Sequence, residues 1–214
     1  MRWILALAAV LLTALVIMPT HYHRFGRISR FFVHATKVAP TLMCAAFAAA
    51  ALRGGDRYSL LIFIGLCVCA VADVMLGIHF VTGGALFLAG HLCYIAAFCT
   101  QQPPTWWSLP AFAVALGLLW LFLQPFRARI KPPLLFRGVQ LYSAALAVVL
   151  SLSLPLPFLA FSPRALLAAL GAVIFVLSDM GVCHSALFKI PRWLDACYLG
   201  IYYLAQLLLA LSTF

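Results

Sequence analysis

No Asp, Glu, Lys or Arg occurs between Val74 and Phe126, a stretch of 53 residues. As one straight helix it would run to about 80 Å at 1.5 Å per residue. The hydrocarbon core of a bilayer is only about 30 Å thick. The stretch must therefore turn back on itself within an apolar medium. The turns are marked at His79 to Gly84 and at Thr100 to Thr105, the latter holding Gln101-Gln102-Pro103-Pro104. The rest of the 214 residues is similar: 66% are hydrophobic and 8% charged, with fourteen Lys and Arg, four Asp and no Glu. A soluble domain carries about 25% charged residues, so a soluble globular enzyme, a coiled coil and a disordered chain are excluded. The apolar runs are continuous rather than alternating, which excludes a transmembrane barrel. The expected fold class is all-α, a polytopic transmembrane bundle forming a single integral membrane domain over residues 1–214.

Eight segments approach the roughly 20 apolar residues of a spanning helix, at about 3–19, 31–51, 58–78, 82–100, 105–124, 134–154, 164–184 and 194–213. The first begins with Arg2 and an apolar run like a signal peptide. It leads through Val16-Ile17-Met18-Pro19 into His21-Tyr22-His23 with no small-x-small cleavage site, and is read as an uncleaved span. The third and fourth segments resemble the seventh and eighth in plan: an Asp late in the first helix and Tyr within the second. A four-plus-four parallel duplication would explain this.

The net charge of +10 lies in short clusters between apolar runs, the pattern of loops beside anionic headgroups rather than of a nucleic-acid-binding surface. Arg24, Arg27, Arg30, Arg127, Arg129, Lys131, Arg137, Lys189 and Arg192 fall on one side, and Arg2, Arg53, Arg57 and Arg164 on the other. That bias places both termini outside the cytoplasm of a multi-pass membrane protein (of the plasma or inner membrane in a bacterium). The seven cysteines, Cys44, Cys67, Cys69, Cys93, Cys99, Cys183 and Cys197, read as small apolar residues; no spacing suits zinc or a disulfide framework.

Four acids remain. Asp56 and Asp195, beside Arg57 and Arg192, read as solvated loop charges. Asp73 and Asp179 lie within apolar helices, where an Asp costs about 2.5–3.5 kcal/mol to insert. Such residues face a bundle interior or a wet cavity, and function is the default reading; a helix-locking hydrogen bond or ion pair is the structural one. The third and seventh segments run in the same direction, and each Asp stands about six residues before its helix ends, so the two carboxyls share a depth and are placed to meet. Cys69, Ala70 and Gly77, one turn from Asp73, permit close helix approach. Lys37 sits at that depth in the second segment, with His34, Pro40 and Thr41 one turn away; it either snorkels to the headgroups or supplies a counter-charge. His91, with Tyr94 three residues on, is either a packed, hydrogen-bonded histidine or a site residue. Tyr198, Tyr202 and Gln206 form one polar stripe, with Tyr203 beside it; Tyr142 is ambiguous from sequence.

No Gly-x-Ser-x-Gly, His-Glu-x-x-His or phosphate-cradling loop occurs. Six features stand in order along residues 30–212. They are Lys37 with Pro40; Ala72-Asp73-Val74-Met75-Leu76; Phe87-Leu88-Ala89-Gly90-His91-Leu92-Cys93-Tyr94-Ile95-Ala96-Ala97-Phe98; Tyr142; Gly171-Ala172-Val173-Ile174-Phe175-Val176-Leu177-Ser178-Asp179; and Tyr202-Tyr203-Leu204-Ala205-Gln206. In these the chain resembles the YhhN-type lysoplasmalogenase family of integral membrane proteins. It departs at Ala72, where the family often has Gly, and in the two-residue spacing between Lys37 and Pro40.

The resemblance implies an eight-helix hydrolase; no cofactor or metal is expected from the residues. It would cleave the vinyl-ether bond of lysoplasmalogens to a fatty aldehyde and glycerophosphoethanolamine or glycerophosphocholine. Its partners would be the lysophospholipid substrate and bilayer lipids. Vinyl-ether hydrolysis needs a proton donor to carbon, a negative group beside the oxocarbenium ion and a base for water, by analogy with two-carboxylate glycosidases. Two close carboxyls in low dielectric share a proton rather than both ionise; Asp73 and Asp179 are the expected catalytic pair. Lys37, His91, Tyr94, Tyr142, Ser178, Tyr202, Tyr203 and Gln206 are the expected binding or orienting residues. Intramembrane Asp, Lys and His equally suit a proton-coupled transporter, and fixed hydrogen bonds at both Asp would suit a non-catalytic lipid-binding protein.

Overall fold

A computed structural model describes residues 30–214, and every regular element among them is helical. Seven long helices occur: α1 (Arg30–Ala51), α2 (Arg57–Ile78), α3 (Phe80–Gln101), α4 (Ser108–Leu123), α5 (Pro133–Ser153), α6 (Pro163–Leu187) and α7 (Arg192–Leu211). They correspond to the second to eighth expected segments, while the first, 3–19, lies outside the described residues. Among the described residues, six helices are long and apolar enough to cross a membrane. In α1 the described apolar segment is Lys37–Ala51.

The turn between α2 and α3 is tighter than the expected His79 to Gly84. His79 alone, in an extended conformation, ends one helix and begins the next. Its Nδ1 accepts the Thr82 backbone N–H at 3.3 Å, which caps α3. Gly83 is thereby freed to sit inside the helix, where a Cβ would collide with the backbone of Leu76. The same close approach continues along the hairpin. A Cβ at Gly65 would collide with the Tyr94 ring, and one at Gly90 would lie 2.7 Å from Cys69 Sγ. Small residues thus let α2 and α3 pack along their length.

Contacts between helices close a ring in the order α1, α2, α3, α5, α6, α7 and back to α1, with α4 packed against α5. The interior is aromatic and small: Tyr94, Phe98, Phe175, Ala48, Ala72, Ala97 and Ala205 are buried. Large apolar side chains such as Leu109, Leu118, Leu121 and Phe158 point outward, as a surface bathed in lipid requires.

Hydrogen bonds identify the two ends of the bundle. Arg164 Nη1 donates to Asp56 Oδ2 at 2.9 Å and its Nη2 to the Thr213 carbonyl at 3.0 Å. The starts of α2 and α6 and the end of α7 therefore meet. Asp56 was expected to be a solvated loop charge; it also caps α2, accepting the Tyr58 N–H at 3.2 Å and the Ser59 hydroxyl at 3.1 Å. Partial burial opposes its charge, but these donors and the Arg164 guanidinium outweigh that and hold its carboxyl below the usual carboxylate range. Asp195 is exposed, as expected, in the first turn of α7, where an acid is favoured by the helix dipole. At the other end Arg129 Nη1 donates to the Leu187 carbonyl at 3.4 Å, and its guanidinium lies 3.9 Å over the Phe188 ring.

Candidate active site

Because α2 and α6 start together, they run in the same direction. Asp73 is 17 residues beyond Asp56 and Asp179 is 15 beyond Arg164. At 1.5 Å per residue these are about 25 Å and about 22 Å from the Arg164–Asp56 pair. The expected common depth holds, on the half of the bundle nearer Arg129 and Lys189. The helix ends differ slightly from expectation, since α6 continues to Leu187 rather than 184.

The Asp73 carboxyl collects donors from two other helices. Thr41 of α1 donates to Oδ2 at 2.8 Å and Tyr202 of α7 at 3.0 Å. Gln206 Nε2 donates to the Tyr202 oxygen at 2.8 Å, while its Oε1 accepts from Tyr94 at 3.2 Å. The Tyr94 oxygen lies 3.5 Å from Cys69 Sγ. Since Tyr94 uses its hydroxyl proton on Gln206, the thiol is the donor there. The chain from Cys69 through Tyr94, Gln206 and Tyr202 therefore points its protons one way, ending on Asp73.

Lys37 lies three residues before Pro40, which lacks an N–H and leaves the α1 ladder one bond short at position 36. Its carbonyl accepts the Tyr203 hydroxyl at 2.8 Å. Its ammonium is within electrostatic range of Asp73, with no direct ion pair between them among the described residues.

Asp179 has a different set. Tyr142 of α5 donates to Oδ2 at 2.7 Å, and His91 Nε2 of α3 lies 3.4 Å from the same oxygen. His91 Nδ1 is 2.7 Å from the Phe87 carbonyl. A carbonyl only accepts, so Nδ1 carries the hydrogen. Nε2 is buried without a hydrogen-bond partner among the described residues.

The two carboxyls share a depth without touching: no hydrogen bond joins Asp73 to Asp179 among the described residues. An aromatic wall separates their partners, with the Phe175 ring at 4.6 Å from His91, 5.9 Å from Tyr94 and 5.5 Å from Tyr202 between centroids. Phe87 packs edge-on against Tyr202 and Phe175. His91, Tyr94, Tyr202, Tyr203 and Gln206 are buried, while both acids keep a partly open edge, 11% for the Asp179 side chain. The arrangement therefore has an aromatic inner wall and two largely buried carboxyls, each with a small open edge.

Of the expected orienting residues, Tyr202, Tyr203, Gln206, Tyr94 and Lys37 gather around Asp73, and His91 and Tyr142 around Asp179. Ser178 does not join them. It is buried against α7, 3.5 Å from the Tyr198 carbonyl, because it faces the helix contact while its neighbour Asp179 faces inward. The polar stripe on α7 divides too: Tyr198 turns to His184 at 3.0 Å and lies where a Cβ at Gly181 would fall. Thr41 and Phe175 are site residues that sequence reading did not single out. Thr41 lies one turn beyond Lys37 on the same helix face, a usable signal; an apolar Phe175 in an apolar helix carries none.

The YhhN family model matches residues 31–213. No curated protein and no solved structure matches the chain.

Proposed function

We propose that this chain, which belongs to the YhhN family, is a membrane-embedded hydrolase that cleaves the vinyl-ether bond of lysoplasmalogens. The observation that carries the reading is that Asp73 and Asp179 lie at similar depth on two parallel helices, each engaged by hydroxyl donors and each with a small open edge. The first helix expected at 3–19 would complete an eight-helix bundle. The basic end of the bundle would face the cytoplasm.

The chemistry follows from the groups present. A carboxylic acid gives its proton to the alkene carbon remote from oxygen, leaving an oxocarbenium ion. The second carboxyl, as carboxylate, stabilises that cation and accepts a proton from the water that adds to it. The hemiacetal then collapses. Its hydroxyl proton returns to the first carboxyl, and the proton taken from water passes to the departing glycerol oxygen. Alkene, ether and water become fatty aldehyde and glycerol-phosphodiester, and both carboxyls end as they began. Tyr202 and Thr41 hold the Asp73 carboxyl and Tyr142 the Asp179 carboxyl. The alkenyl chain lies among apolar helices, and the phosphate head reaches the basic mouth near Arg129 and Lys189.

The test is aldehyde release by the purified protein from lysoplasmenylethanolamine beside its saturated ether analogue. Aldehyde from the vinyl ether alone is the expected result; none from a folded protein would overturn the reading.

A further inference from the structure

The two carboxyls are not equivalent, and the difference lies in which way their neighbours' hydrogens point. At Asp73 both partners are donors, and one ends a relay whose every hydrogen points toward the carboxyl. Asp73 is thus surrounded as an acceptor. A carboxylic acid hydrogen there would have to turn the Thr41 or Tyr202 hydroxyl from donor to acceptor, and Lys37 adds positive charge nearby. At Asp179 one partner donates, but the other is a bare nitrogen. His91 Nε2 is buried, has no hydrogen of its own once Nδ1 is committed to Phe87, and faces Asp179 Oδ2. Two lone pairs facing each other in an apolar interior repel and leave both groups unsatisfied. One hydrogen between them removes both penalties. Placing it on oxygen keeps the pair neutral and avoids separating two charges inside the bilayer.

The geometry points to a division of labour: Asp179 holds the proton in the resting protein, donating it to His91 Nε2, and Asp73 is the carboxylate. This rests on the hydrolase reading and assigns its two roles. Asp179 is the acid that protonates the alkene carbon, and Asp73 is the base for water. His91 is a positioning residue that keeps the acid hydrogen in place; the 3.4 Å separation is a long hydrogen bond that a small side-chain rotation shortens. After the hydrogen leaves for carbon, Asp179 becomes a carboxylate still held by Tyr142. The hemiacetal proton restores it, so no other reactant is required.

Infrared difference spectroscopy of the purified protein in liposomes reads the proton directly, through the carbonyl stretch of a neutral carboxylic acid. That band is expected at neutral pH in the wild type and in Asp73→Asn, and is expected to be absent in Asp179→Asn. In His91→Phe it shifts to higher frequency as the acid loses its acceptor. Tyr142→Phe, which leaves the His91–Asp179 contact intact, keeps the band and serves if His91→Phe does not fold. A band lost in Asp73→Asn and kept in Asp179→Asn would overturn the assignment, as would no band in the wild type. Aldehyde release is measured on the same samples. A correct band pattern without aldehyde contradicts the hydrolase reading alone, and aldehyde with the wrong band pattern contradicts the assignment alone.

Discussion

Arg164 grips Asp56 at 2.9 Å across 108 positions of sequence, and that contact sets the level of the whole candidate site. It fixes the starting points of α2 and α6, and rigid helices of nearly equal run then carry Asp73 and Asp179 to nearly equal depth. The grip is half-exposed, so its own energy is small; its effect is on register.

Asp56→Ala removes the cap of α2 and the Arg164 pair together. The expected loss is about 1 kcal/mol of stability, the usual worth of an N-cap, seen as a lower midpoint in thermal unfolding in detergent. Asp56→Asn, which still caps, is expected to lose less. The pH dependence has a definite sign. The folded state holds the Asp56 carboxyl below its usual value, so its contribution is complete above the unfolded value of about 3.9. It disappears as the pH falls further, through the folded-state value. Wild type and Asp56→Asn are therefore expected to converge in stability toward acid pH; a gap that widens there would contradict the account.

Tyr202→Phe and Thr41→Val each remove one donor from Asp73. Hydrogen bonds to charged groups are worth about 1.5–3 kcal/mol, so each variant is expected to slow aldehyde release about 10- to 100-fold. The loss should appear in kcat, with circular dichroism unchanged. Removal of Ser178 is the contrast: Ser178→Ala touches only a 3.5 Å contact to the Tyr198 backbone and is expected to retain near-normal turnover.

Gly65→Ala tests the wall behind the site. Its Cβ would collide with the Tyr94 ring, which cannot move without breaking the relay through Gln206. Overpacking of this kind costs about 1–3 kcal/mol. Both the thermal midpoint and turnover are expected to fall. Gly117→Ala, which meets open space, is expected to change neither.

The helical class and the positions of seven helices were legible because a bilayer demands continuous apolar runs, and these stand out regardless of packing. Asp73 and Asp179 were legible for the converse reason, as charges where lipid forbids them. Their common depth followed from counting residues. Their partners did not follow, because rotation about a helix axis is set by side-chain packing that one sequence does not display. Tyr142 was ambiguous until α5 turned it toward Asp179, and Ser178 was placed in the site by its neighbour although it faces α7. The tight turn at His79 was hidden because Gly83 and Gly84 look like turn residues, whereas Gly83 serves the close packing of α2 on α3.

The most direct measurement is aldehyde release from lysoplasmenylethanolamine by wild type, Asp73→Asn and Asp179→Asn, each shown to be folded. Loss of an acid or base group costs about 10²- to 10⁴-fold, and the account predicts a loss in that range for both variants. Near-normal turnover in either one would contradict a two-carboxyl mechanism.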